Sequence, residues 1–120
     1  MPITDFRDLL VWQEAHRLVL MVYKATAAYP SNEQFGLVSQ MRRAAISVPA
    51  NIVEGFKRRG RQDKLRFYNS AGASLEELKY FLILSGDLAY LTESKLLFDQ
   101  ADSVGRLLHR FSQNIPHEPR

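Results

Sequence analysis

The chain contains no cysteine, which excludes disulfide bonds, thiolate catalysis and cysteine-ligated zinc sites. Absence of cysteine fits a reducing cytoplasm and is also permitted in other compartments. No stretch approaches the roughly 20 apolar residues that a membrane-spanning helix needs. The N-terminal segment carries acidic residues and a tryptophan where a signal peptide would need a basic start and an uninterrupted apolar run. We therefore predict a cytoplasmic protein with no membrane partner.

Catalytic and metal-binding patterns are missing as well. Di-metal sites in four-helix bundles need a Glu three residues before a His, and none of His16, His109 and His117 has one. No phosphate-binding glycine loop or hydrolase nucleophile motif is present. Glu54 lies in an apolar stretch and could be a catalytic carboxylate, but a structural ion pair is the favoured interpretation because a buried charge needs a partner. We predict no enzymatic activity, no cofactor and no metal.

Helical periodicity dominates what is present. The 120 residues are 46% hydrophobic and 24% charged, which is typical of a globular protein of this size. We predict one domain over residues 1–115 and a flexible tail over residues 116–120. Apolar residues recur at alternating spacings of three and four, as on one face of a helix. These stripes are Val11, Ala15, Leu18, Val22, Ala25 and Tyr29; Met41, Ala45, Val48, Ile52 and Gly55; Tyr68, Ala71, Leu75, Leu78, Leu82, Ser85 and Ala89; and Leu97, Ala101, Val104, Leu108, Phe111 and Ile115.

The stripes predict four helices, over about residues 8–29, 32–59, 62–89 and 92–114. Ser31 and Gln34 have the spacing of a capping box at the start of the second helix. Gly60 suits the left-handed position that follows many helices, and Thr92 is a candidate N-cap of the fourth. Pro49 falls inside the second helix, where it removes a hydrogen bond. We favour a kinked continuous helix over a break with Ser47 as a new cap.

Four amphipathic helices joined by short loops predict an all-α protein, an antiparallel up-down-up-down four-helix bundle. Residues 44–53 of the second helix are apolar or small nearly all round, and Phe67, Ser74, Phe81 and Leu88 form a second set on the third. Apolar surface of this extent usually marks an interface, which favours a homo-oligomer. The alternative is a large monomeric core. The candidate interface residues are Ile46, Pro49, Val53, Phe67 and Phe81.

Charge is concentrated in one stretch, residues 40–66, which we call the basic segment. It carries eight Lys/Arg and two acidic residues, whereas the whole chain has a net charge of +3. In the predicted topology Arg7, Arg106, Arg110 and Arg120 join it at one end. Such a surface would bind RNA or DNA by neutralising phosphates, without sequence-specific readout. The alternative is a solvated helix end whose cations complement the helix dipole.

The run QMRRAAISVPANIVEGFKRR closely resembles the signature of four-helix-bundle proteins named after 23S rRNA intervening sequences. It is also similar to their relatives, the accessory variability proteins of diversity-generating retroelements. Matching pieces are LLVWQEAHRLVLMVY, the YPSNEQFGL turn and FYNSAGASLEELKYFL. The resemblance covers about residues 6–112. It implies a barrel-like homopentamer, a positively charged surface proposed to bind nucleic acid, and no established enzymatic activity.

The resemblance places nucleic-acid-binding positions at the basic residues inside or beside the matched run, which are Arg42, Arg43, Lys57, Arg58 and Arg59. Charge rather than motif adds Arg61, Lys64 and Arg66. For Arg42 and Arg43 the alternatives are a place in the subunit interface or pairing with Glu54. The leading hypothesis is an oligomeric nucleic-acid-binding protein. The alternative is a scaffold or adaptor for a nucleic-acid-processing protein such as a reverse transcriptase.

Overall fold

The computed structural model describes residues 2–116 of the chain. Within that range there are four α-helices and no strand, as the periodicity predicted. The α-helices are α1 (Leu10–Thr26), α2 (Leu37–Lys57), α3 (Arg61–Asp87) and α4 (Ser94–Gln113), and short 3-10 turns span Phe6–Asp8 and Ser31–Glu33. No helix in this part of the chain is long and apolar enough to cross a membrane. The predicted tail lies outside the described residues except for residue 116, as do His117 and Arg120.

The predicted stripes form the core. Every member of the α2 stripe is buried, and Leu18, Met41, Ile52, Leu75 and Leu78 are at most 1% exposed. Burial of such side chains is the main driving force for joining amphipathic helices. The exceptions lie at helix ends: Ala25, Phe111 and Ile115 are only half-buried and Ala89 is exposed.

The helices contact one another in chain order, and α1 also contacts α4. Neither α1 with α3 nor α2 with α4 comes close within the described residues, so the cross-section has four corners. The molecule measures 54 × 22 × 20 Å. The most extensive contact joins α2 and α3, where Gly55 lets the ring of Tyr68 approach the α2 backbone.

Pro49 lies inside α2, which is continuous from Leu37 to Lys57. The predicted continuity of the helix is therefore confirmed, and the alternative break at Ser47 is excluded. The kink at Pro49 stays a prediction. The Asn51 side-chain amide donates to the Ser47 carbonyl at 2.8 Å and to the Ser47 hydroxyl at 2.9 Å. Ser74 of α3 donates to the same hydroxyl at 2.8 Å. Polar side chains thus reinforce the helix beside the proline, where one backbone bond is absent.

The predicted start of α2 was wrong by five residues. Ser31 begins a separate 3-10 turn and does not cap α2, so the predicted capping box does not form. Glu33 supplies the polar contacts at this entry, because its Oε1 lies 3.5 Å from the Leu37 amide and its Oε2 accepts from the Tyr90 hydroxyl at 3.0 Å. The first turn of α2 is therefore tied to the α3–α4 connection.

Three other helix ends differ from prediction. Gly60 has φ −79° and ψ 145°, an extended conformation at the N-cap of α3, and not the left-handed one predicted. Thr92 is not a cap, since Glu93 takes the N-cap position of α4 without a side-chain bond. The left-handed residue is Ala89, with φ 61°. The Ala89 amide bonds to the Gly86 carbonyl and the Tyr90 amide to the Ser85 carbonyl, which is the Schellman pattern that ends many helices.

Candidate nucleic-acid interface

The basic segment occupies most of α2, the α2–α3 connection and the first turns of α3. Its eight basic residues do not form one uniform surface. Arg43, Lys57, Arg58, Arg59 and Arg66 are exposed, whereas Arg42, Arg61 and Lys64 are half-buried. Their hydrogen bonds divide them further into residues that hold the fold together and residues whose charges face solvent.

Arg42 joins α2 to α1. Its Nε donates to the Thr26 hydroxyl at 3.0 Å, its Nη2 donates to the Tyr23 carbonyl at 3.4 Å, and its guanidinium lies 4.4 Å from the Tyr23 ring centroid. Thr26 is itself buried, with 3% of its surface exposed. The structure therefore gives Arg42 a role within the chain. Its neighbour Arg43 is exposed.

Lys64 caps the C-terminal end of α2. Its Nζ donates to the Gly55 carbonyl at 3.2 Å and to the Phe56 carbonyl at 2.9 Å, both in the last turn of the helix. The Gly55 carbonyl also accepts from the Arg58 amide at 3.2 Å. Partial burial lowers the pKa of the Lys64 ammonium below its usual value. The charge also complements the negative end of the helix dipole. Lys64 thus contributes to the α2–α3 junction.

Arg58 and Arg66 enclose Phe67. Their guanidinium carbons lie 4.6 and 4.8 Å from its ring centroid. Arg58 pairs with Glu54 at 3.3 Å, and Arg66 pairs with Asp63 at 2.8 Å. The predicted ion pair of Glu54 thus exists, although its partner is neither Arg42 nor Arg43, and Glu54 is exposed. These two pairs engage both acidic residues of the basic segment.

Lys57 and Arg59 remain exposed at the α2–α3 connection, and neither forms an ion pair with another residue of the described range 2–116. Arg61 lies beside them, and its Nε donates to the Ile115 carbonyl at 3.4 Å. This bond places the residues that follow α4 beside the start of α3. Arg110, in the last turn of α4, adds an exposed cation near that end.

Arg7, also predicted for this end, is held by Asp5. The two side chains pair at 2.7 Å, and the hydrogen bonds from Arg7 lower the pKa of the Asp5 carboxyl to about 2. The pair is exposed to solvent, so its contribution to stability is small. The pair neutralises one of the cations that were predicted to lie with the basic segment at one end of the bundle.

The residues predicted for a subunit interface differ in exposure. Ile46 is 42% exposed, and Val53, Phe67 and Phe81 are half-buried. Pro49 is buried within the single chain. The four others retain apolar surface that a partner could cover.

Sequence reasoning missed Phe35, which is 93% exposed in the turn before α2. It also missed the link between α3 and α4, in which Lys79 bonds to Asp102 at 2.8 Å and to Glu76 at 3.2 Å. These bonds raise the pKa of Lys79, and its ammonium lowers that of Asp102. The available signal for Phe35 was the presence of an aromatic residue in an otherwise polar turn. The spacing of Glu76 and Lys79 indicates an ion pair within α3, but it does not indicate the bond from Lys79 to Asp102.

Together these features define an all-α protein with four helices, in which no group of three metal-ligating side chains occurs among residues 2–116. Residues 7–110 match the family model of the 23S rRNA-intervening sequence protein. The chain belongs to this family, which confirms the resemblance seen in its sequence.

A solved structure supports the fold. It is the crystal structure of a protein of unknown function from the S23 ribosomal protein family of Bacteroides thetaiotaomicron VPI-5482. The two share 20% sequence identity and superpose with a TM-score of 0.81, covering 90% of this chain and 99% of that one. No curated protein sequence matches this chain significantly.

Proposed function

We propose that this protein is a non-enzymatic, cytoplasmic oligomer that binds RNA or DNA through phosphate contacts. The observation that carries the proposal is the imbalance of charge at the α2–α3 connection. Both acidic residues of the basic segment are engaged by Arg58 and Arg66, and Lys57 and Arg59 stay exposed beside Arg61. Exposed cations that have no ion-pair partner attract a polyanion, and their binding to phosphates releases the counterions condensed on the nucleic acid.

The proposed architecture is one domain over residues 1–115, an antiparallel up-down-up-down four-helix bundle. Contacts between helix ends support it. Lys64 at the start of α3 bonds to the end of α2, and Arg61 bonds to the chain just after α4. At the other end, the Tyr90 hydroxyl reaches Glu33 in the connection between α1 and α2. In this topology the basic connection and the end of α4 lie together.

The proposed assembly is a homopentamer. Exposed apolar side chains on several helices support an oligomer, among them Leu20, Ile46, Tyr80 and Ile83, which are 42–57% exposed. The number five rests on the family resemblance. A cyclic arrangement of parallel subunits would bring every basic end to the same face of the ring. Light scattering should then give a particle of five chain masses, and a monodisperse monomer would refute the assembly.

A gel-shift titration tests nucleic-acid binding directly. Structured RNA and duplex DNA are titrated with the protein at several salt concentrations, and the affinity should fall as salt rises. The charge-reversal variant Lys57→Glu/Arg59→Glu should bind much more weakly and show a shallower salt dependence, since each lost phosphate contact reduces the slope by about 0.9.

Lys24→Glu is the matched control, because Lys24 is an exposed cation in the last turn of α1, away from the basic connection. It should bind as the parent does. Absence of binding by the parent even at low salt would refute the proposal. The predicted alternative, an adaptor for a nucleic-acid-processing protein, would then become the working hypothesis, with that enzyme as the partner to test.

A further inference from the structure

Phe35 is the most exposed apolar side chain of the described residues, with 93% of its surface in contact with solvent. The turn that carries it is well fixed. The Gly36 amide bonds to the Glu33 carbonyl at 3.1 Å, and the Glu33 carboxylate contacts both Leu37 and Tyr90. A large aromatic ring on a fixed turn loses little conformational entropy when a partner covers it. Phe35 therefore has the properties of an anchor for another protein surface.

A hollow that suits such a ring lies between α3 and α4. It has a volume of about 480 Å³. Gly86 leaves the space next to the helix open. The apolar part of the lining is Leu82, Ile83, Leu91 and Phe98, and the polar part includes Asp87, Lys95 and Asp99. A Cβ atom on Gly86 would come no closer than 3.8 Å to Ser94. Ile83 is 52% exposed in the free chain, so an inserted ring would cover apolar surface that now faces water.

Phe35 and the hollow lie at the same end of the molecule but on different edges. The bond from Tyr90 to Glu33 and the 5.5 Å ring contact between Tyr29 and Tyr90 join the α1–α2 and α3–α4 connections. The four-cornered packing nevertheless places the α1–α2 edge opposite the α3–α4 edge. Phe35 and the hollow thus lie at the same level along the length of the molecule, on opposite edges. Rotation of one copy about an axis parallel to that length can bring its Phe35 against the hollow of the next copy. Such head-to-tail contacts close into a ring when the rotation between neighbouring copies divides a full turn, as the proposed ring assembly requires.

We propose that Phe35 of one copy inserts into the α3–α4 hollow of the next copy. The inference rests on the ring assembly proposed above and assigns its contact. A single ring covers only part of the roughly 800 Å² per partner that a stable interface needs. The remaining apolar area comes from neighbouring exposed side chains, with Ile46 on one edge and Tyr80 on the other. Phe35 is the central anchor of this interface.

The absence of cysteine from the chain permits a direct crosslinking test. Phe35→Cys and Ile83→Cys chains, with different affinity tags, are co-expressed and oxidised. Each chain then has one thiol, so every disulfide formed joins two chains. We expect a disulfide dimer that contains both tags, because the two side chains would meet within the short Cα separation that a disulfide requires. Leu10→Cys replaces Phe35→Cys as the control, since Leu10 is 57% exposed at the opposite end of α1, and should give no mixed dimer.

Other outcomes overturn the inference. A dimer formed by Phe35→Cys alone would place the turn on a two-fold axis, in contact with its own copy. An oligomer that persists in light scattering without the mixed disulfide would leave the ring intact and place its contact elsewhere. A monomeric parent protein would refute the ring itself. The failure of this contact and the failure of the proposed assembly are therefore distinguishable.

Two further variants test the anchor and the hollow separately. Phe35→Ala should weaken association about 30-fold or more, as truncation of an anchor residue does. Gly86→Leu should fill the hollow and weaken association similarly, since Gly86 is helical and a Cβ atom there would meet only Ser94, at 3.8 Å. Circular dichroism should show both variants folded, and Leu10→Ala should associate as the parent does. Unchanged association of both variants would contradict the inference.

Discussion

Gly55→Ala adds one methyl group at the closest approach between α2 and α3. A Cβ atom there would lie 2.5 and 2.9 Å from two carbons of the Tyr68 ring and 3.1 Å from the Phe67 Cβ. The Tyr68 ring cannot easily move aside, because the residue is 2% exposed and packs edge-on against Phe111 at 5.1 Å. The Phe67 Cβ is attached to the α3 backbone. Relief of the overlap therefore requires the two helices to separate.

The expected change in stability is the difference between two effects. Alanine favours the helical state over glycine by about 1 kcal/mol in a helix interior. Overpacking of a rigid core costs about 1–3 kcal/mol, and the overlap with Tyr68 points to the upper end of that range. We therefore expect Gly55→Ala to lower the free energy of unfolding by about 2 kcal/mol. For a chain of this size the melting temperature should fall by about 8 °C.

Urea denaturation followed by circular dichroism, at one fixed protein concentration, measures this change. Gly72→Ala is the matched control, since a Cβ on Gly72 would meet only Leu108, at an ordinary 3.8 Å. It should gain stability from its helix propensity. In a Tyr68→Leu background the cost of Gly55→Ala should shrink, because the two positions are coupled. A Gly55→Ala variant as stable as the parent would refute the close approach.

The other predictions concern a helix end, a buried phenol and two arginines. Ala89→Gly should stabilise the protein by about 1 kcal/mol in urea denaturation, because φ 61° suits glycine. Burial raises the pKa of Tyr68 from 10.0 to about 12. The free energy of unfolding should therefore fall by about 2–3 kcal/mol as the pH rises from 10 to 12, because the unfolded chain ionises this phenol first. Unfolding measured at increasing pH should show this loss of stability in Tyr80→Phe but not in Tyr68→Phe. Arg42→Gln should lower the free energy of unfolding by about 1 kcal/mol and leave nucleic-acid binding unchanged in gel shifts, whereas Arg43→Gln should leave stability unchanged.

The helices and their buried faces could be predicted because burial alone sets the periodicity. The α2 stripe of Met41, Ala45, Val48, Ile52 and Gly55 is buried at every position. Helical spacing identifies that face without knowledge of which helix covers it. The continuity of α2 through Pro49 also followed, since a long apolar stripe on both sides makes a break costly.

The start of α2 and the backbone conformations at Gly60 and Ala89 could not be predicted, because contacts from elsewhere in the chain decide them. Gly60 is extended although glycine favours the left-handed position. Ala89 takes that position despite its Cβ, where the two bonds of the Schellman turn offset the strain. Ser31 has cap chemistry, but Glu33 and Tyr90 fix the entry to α2. Local residue preferences indicate a turn, and tertiary contacts choose its conformation.

The same limit applies to the candidate interface. The concentration of charge in the basic segment is visible in the sequence, whereas the partners of each charge are not. Arg42 bonds to a hydroxyl sixteen residues earlier, and Lys64 bonds to a carbonyl eight residues earlier. Both acceptors are neutral groups that no charge pattern reveals. Sequence therefore identifies the segment, and the folded chain separates structural cations from exposed ones.

That separation bears on how binding would work. Of the eight basic residues, Arg42 and Lys64 serve the fold and Arg58 and Arg66 are paired with acids. Each subunit then offers few cations to phosphates, and a few exposed charges give weak affinity at physiological salt. Repetition around a ring multiplies these contacts on one polyanion without any new contact in the subunit. Assembly through Phe35 and phosphate binding at Lys57 and Arg59 would therefore be linked, although the proposed topology places them at opposite ends of the molecule.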